Sequence, residues 1–113
     1  MDLINKALVA RQSVKTEIFD TVLNALLCAN RLQFGYRRVE GSSAENSRRT
    51  VSPQTLLWYR DNWYLIAFCH AREALRIFAL SRMDRPQLLT ELAVVCDEAE
   101  VAVLLGSGYG IFP

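Results

Sequence analysis

The chain has 113 residues, 51% of them hydrophobic and 22% charged, with a formal net charge of +1. That length holds one domain with a modest core, and the composition is that of a globular protein, not a disordered or fibrous one. No apolar run approaches the roughly 18 residues of a membrane span. The opening Met1-Asp2-Leu3-Ile4-Asn5-Lys6 lacks the basic start and long apolar block of an export signal, so a cytoplasmic protein with no membrane partner is expected.

Charge is unevenly distributed. Residues 31–85 hold ten arginines, no lysine and five acids, whereas residues 86–113 hold four acids and no base. The planar fork of arginine suits phosphate and carboxylate. The middle of the chain is therefore either a solvated basic face or a contact surface for an anion or nucleic acid. Cys28, Cys69 and Cys96 are odd in number and lack CxxC spacing; reduced thiols packed in apolar surroundings are expected, with no disulfide set or zinc site.

Residues 1–15 read as a lead-in or linker. Over residues 15–30, Ile18, Val22, Ala25, Leu26 and Ala29 recur at helical spacing, with Thr16 or Ser13 as cap. The period then shortens: Leu32, Phe34 and Tyr36 alternate with Gln33, Gly35 and Arg37, as in a half-buried strand. After a polar loop, Arg48 to Tyr59 forms a second strand, in which Pro53 signals a bulge or an edge because it lacks the ladder donor. A turn at Asp61-Asn62 leads into a third strand, Trp63–His70. Ala71–Ala74 connects to a fourth, Leu75–Arg82, and a short fifth follows Pro86. Asp97 with Glu100 starts a short helix that stops at Gly106. The glycine-rich tail 107–113 is expected to lead toward a further domain. The fold predicted is mainly β: a small barrel or strongly bent sheet with an N-terminal helix and a short C-terminal one. The domain proper spans 16–95 and the helix and exit segment 96–113.

Trp63-Tyr64-Leu65 resembles the signature that names the WYL domain family, and the match extends to three further blocks in order. Phe34-Gly35-Tyr36 looks like the family's first strand and Arg48-Arg49-Thr50-Val51-Ser52-Pro53 like its second. Arg76-Ile77-Phe78-Ala79-Leu80-Ser81-Arg82 resembles its basic Arg-x-Phe block. Two departures stand out: Ser81 replaces an Asp found in many members, and Gln54 a His found in some. The resemblance implies an Sm-like, SH3-type five-stranded barrel that senses a nucleic-acid or nucleotide-like ligand. It also implies a transcription regulator, often dimeric, with a DNA-binding domain in the same or a partner chain.

Strand alternation puts Trp63, Leu65, Ala67 and Cys69 on one face and Tyr64, Ile66, Phe68 and His70 on the other; Trp63 and Leu65 read as core. Arg76, Phe78, Leu80 and Arg82 share the parity of a single strand face, two arginines bracketing an apolar floor. Of the adjacent Arg48 and Arg49, one faces that site. The expected ligand-binding set is Tyr36, Arg38, Arg49, Gln54, Tyr64, Arg76 and Arg82. The lone His70 reads as a strand-end surface residue. No nucleophile–base motif, metal-ligand spacing or phosphate loop is present, so neither an enzyme nor a cofactor is expected. Two readings remain beside the sensor: a direct single-stranded nucleic-acid binder of a defence or CRISPR-associated protein, and a structural dimerisation module with solvated arginines.

Overall fold

The computed structural model describes residues 14–37 and 47–106. Its first helix, α1 (Thr16–Cys28), buries Ile18, Val22 and Ala25 on one stripe. Lys15 stands at the N-cap with no side-chain cap, so Thr16 is already helical and does not cap; Ser13 lies outside the described residues. The helix ends where Ala29 turns left-handed (φ 57°), its amide reaching back to the Ala25 and Leu26 carbonyls. That turn drops the chain straight into β1 (Asn30–Tyr36).

β2 (Ser47–Tyr59), β3 (Asn62–Cys69), β4 (Ala74–Ala79) and β5 (Met83–Leu92) follow, then α2 (Glu98–Gly106). The five strands form one antiparallel sheet in the order β4-β3-β2-β1-β5. Tyr59 pairs with Asn62, leaving Arg60 and Asp61 as a two-residue turn with φ 51° and 64°. This is the primed turn that suits the twist of a hairpin, one residue earlier than the sequence predicts. β2 lies inside the sheet, so Pro53 marks a bulge and not an edge. The register with β3 jumps between Pro53 and Thr55, and Gln54 is extruded from the ladder.

Three expectations need correction. The sheet is not a closed barrel: no ladder joins β4 to β5 among the described residues, and a three-residue 3-10 turn, Leu80–Arg82, connects them. That turn also ends β4 at Ala79, so Arg76 and Arg82 do not share one strand face. The apolar run Ile77–Leu80 hides the break, because Phe78 and Leu80 keep the parity of one strand face whether the chain continues as strand or turns. β5 starts at Met83, before Pro86, with Arg85 at φ 46° and a register shift opposite Gln33–Gly35. The proline sits in an edge strand, where its missing donor costs little.

One face of the sheet and α1 enclose the core. Leu32, Phe34, Val51, Leu65, Ala67, Cys69, Phe78, Leu80 and Met83 meet Ile18, Val22 and Ala25. A fully buried Leu or Phe side chain contributes roughly 1.5–3 kcal/mol, so this cluster dominates the favourable side of folding. The inner parity expected of β3 holds: Leu65, Ala67 and Cys69 are buried, and Trp63 packs between Phe19 (5.1 Å) and Trp58 (5.2 Å).

Candidate anion-binding end of the sheet

Tyr36, the last residue of β1, lies edge-on to Phe78 (centroids 5.1 Å, 89°). Its hydroxyl accepts a hydrogen bond from the Ala79 amide (2.9 Å). β1 and β4 are three places apart in the strand order, so the sheet curls until a β1 side chain supplies an acceptor to the edge strand. Arg49, on β2 opposite Phe34, holds its guanidinium 5.8 Å from the Tyr36 ring centroid, within cation–π range.

Other arginines gather at the same end. The Arg37 amide donates to the Arg82 carbonyl (3.1 Å) and its guanidinium to the Ser81 carbonyl (3.1 Å), tying the end of β1 to the 3-10 turn. Arg48 donates to the Arg85 carbonyl (3.1 Å) and to Gln33 Oε1 (3.4 Å). Of the adjacent arginine pair, then, Arg49 lies over Tyr36 and Arg48 turns toward β5. An open cleft of about 500 Å³ lies here, lined by Lys15, Glu17, Arg37, Ser81, Asp84 and Arg85 among others. A Cβ at Gly35 beside it would push the Asp84 carboxylate aside.

The structure thus brings Tyr36 and Arg49 together and sets Arg82 in the adjoining turn. Tyr64 pairs with Ala79 in the β3–β4 ladder, beside the atom that Tyr36 holds. Arg76 stands exposed on β4 opposite Ala67, three residues from Ala79. Arg38 lies outside the described residues. Lys15, Arg37 and Arg85 meet through the pairing of β1 with β5 and the docking of α1, which no local pattern encodes.

Gln54 is placed elsewhere. From the bulge its amide donates to the Val94 carbonyl (2.7 Å) and the Ser52 carbonyl (3.0 Å), and its oxygen accepts from the Cys96 amide (3.0 Å). The fully buried Ser52 hydroxyl accepts from the Val94 amide (2.8 Å) and lies 2.7 Å from His70 Nε2. His70 is therefore not a free surface residue: it is half-buried and edge-on to Phe68 (5.1 Å). Burial, with Arg31 nearby, pushes its pKa below 6.5 against the opposing pull of Glu91. The Ser52–His70 distance is that of a nucleophile and base, but the serine oxygen is buried and already accepts from the Val94 amide. The cysteines are unpaired. Cys69 is buried and Cys96 half-buried, its thiol pKa raised by burial and by Glu100, whereas Cys28 is exposed, contrary to the packed thiol expected. Among the described residues no cluster of His, Cys, Asp and Glu has the makings of a metal site, and no helix is long and apolar enough to cross a membrane.

The WYL domain model matches residues 17–88. The chain belongs to the WYL domain family. A solved structure of proteasome accessory factor B/C (PafBC) of Arthrobacter aurescens is similar to it, with a TM-score of 0.63 and 26% identity. That likeness covers 73% of this chain and 13% of the PafBC chain, so this WYL domain corresponds to a small part of that protein's length. No curated protein sequence matches the chain.

Proposed function

We infer that this WYL domain is the effector-binding module of a transcription regulator and holds a phosphate-bearing ligand, nucleic acid or nucleotide, at its arginine-rich end. The observation that carries the reading is Arg49 over Tyr36 and Arg37 bonded to the turn bearing Ser81 and Arg82, with Arg48 bonded to the Arg85 carbonyl on the β5 side. Asp84, 3.7 Å from Arg85, and Glu17 offset part of this positive charge, and an anion would offset more of it. A guanidinium over a phenol ring adds a face on which a planar base stacks. Ligand bound here biases an attached DNA-binding domain only through different affinities for two states of the protein. Membership in the WYL family supports the regulatory part of this reading. Gln54 has its amide engaged with the chain and is left out of the site.

The test is titration of labelled oligothymidine and of nucleotides against the wild type and against Arg49→Ala, Arg82→Ala and Arg76→Ala, with thermal melts in parallel. A charge-assisted phosphate contact is worth on the order of 1.5–3 kcal/mol. Arg49→Ala and Arg82→Ala are expected to weaken binding about ten-fold or more, Arg76→Ala less, and Arg49→Lys to recover part of the loss. Arg60→Ala, at the β2–β3 turn, is the control. Steep salt dependence that grows with oligonucleotide length marks direct single-strand binding, whereas tight binding of one small anion marks a sensor. Full affinity in Arg49→Ala and Arg82→Ala, or no binding by the wild type, overturns the site.

A further inference from the structure

The segment between β5 and α2 crosses the outside of the sheet without joining it, and its attachment is unusual in kind. The Ala93 amide donates to the Ala29 carbonyl (2.8 Å), and among the described residues the other hydrogen bonds that hold residues 93–96 to the sheet are made with side chains of β2. Gln54 behaves like a borrowed peptide unit: its amide donates to the Val94 carbonyl while its oxygen accepts from the Cys96 amide, the two contacts a neighbouring strand would make. The segment's own valines gain little cover, Val94 being 41% and Val95 84% exposed, although Ile66 on the sheet face away from α1 is fully buried. A segment held by polar contacts at the surface belongs to the low-stability end of a protein, where local opening occurs without global unfolding.

We propose that Gln54 and Ser52 form a latch from which residues 93–96 open as one unit while the sheet stays folded, changing where α2 leaves the domain. Opening is made inexpensive by His70. A buried hydroxyl stripped of its partner is costly, but Ser52 keeps the His70 ring nitrogen at 2.7 Å whether or not the Val94 amide is present. The Gln54 amide, extruded by the bulge and only partly buried, is free to take up water in the open state. Leu104 is buried on α2, so the helix pivots about that end as the segment feeding it moves. The latch stands apart from the arginine-rich end and does not rest on the ligand reading.

Residue-resolved hydrogen exchange of the full chain tests it, comparing wild type with Gln54→Ala and Ser52→Ala. The Cys96 amide is bonded to Gln54 and the Val94 amide to Ser52. If the segment opens as a unit, each substitution speeds exchange at both amides, by ten-fold or more, and leaves Phe34, Val51 and Leu65 as slow as in the wild type. Three results overturn the latch: each substitution freeing only the amide it directly bonds, both amides exchanging at wild-type rates in Gln54→Ala, or sheet amides accelerating with them in Gln54→Ala. Should Ser52→Ala loosen the sheet, Gln54→Ala alone decides. Oligothymidine affinity is measured alongside; loss of affinity in Gln54→Ala with unchanged exchange makes Gln54 a ligand contact instead.

Discussion

The two helices are both rich in apolar residues, yet they are used in opposite ways. α1 places Ile18, Val22 and Ala25 at four- and three-residue spacing, buries all three, and leaves Glu17 and Asp20 outside. α2 is the more apolar segment on average, but Ala99, Val101, Ala102, Val103, Leu104 and Leu105 follow each other with almost no one-sided period. Only Leu104 is buried there, and Val103 is 70% exposed. Apolar content says that a segment gains from cover; periodicity says which side receives it. α1 is part of the core, whereas α2 buries only Leu104, outside the core cluster, and half-buries Val101 and Leu105.

The sharpest way to break that contrast is a charge inside the α1 stripe. Val22→Asp puts an unpaired carboxylate where exposure is zero, which should cost roughly 4 kcal/mol or more and abolish the cooperative melt. A variant that still melts within a few degrees of wild type would show that α1 is no more essential than α2. Leu104→Ala asks how deep the one buried side chain of α2 goes. A loss of about 2 kcal/mol by urea denaturation is expected, the low end for buried leucine, because a site outside the core cluster relaxes readily. A loss near 5 kcal/mol would make α2 a core element. The smallest effect is reserved for Val103→Lys, which should change stability by less than about 0.5 kcal/mol; a clear destabilisation would mean that something covers this face in solution.

Much of the fold was legible because it follows from local chemistry. The stripe of α1, the alternation of β1, the inner parity of Trp63 to Cys69 and the bulge at Pro53 each depend on neighbours within a few residues. The 3-10 turn at Leu80–Arg82 was not legible, since Phe78 and Leu80 both face the core whether or not the strand continues. Nor was the open edge, which depends on whether β4 and β5 find one another. Of the candidate site, the closeness of Tyr36 and Arg49 could be inferred from paired strands. The approach of Arg48 to Arg85 required β1 to pair with β2 on one side and with β5 on the other. Gln54 is the instructive case: its type fits a ligand contact, yet its partners lie about forty residues away in a segment with no pattern of its own.

The contact between Tyr36 and Ala79 bears on more than the geometry of this end. A strand at the margin of a sheet shows bare amides and carbonyls to passing chains, and such margins nucleate aggregation. Six-residue β4 is such a margin; the Tyr36 hydroxyl occupies the Ala79 amide and Arg76 sets a charge midway along the strand. Colloidal solubility and, on the function proposed above, recognition would then rest on the same aromatic residue. Exchanging that phenol for phenylalanine would keep the packing against Phe78 while leaving an adhesive amide uncovered, so the loss would be felt in crowded solution before it was felt in folding.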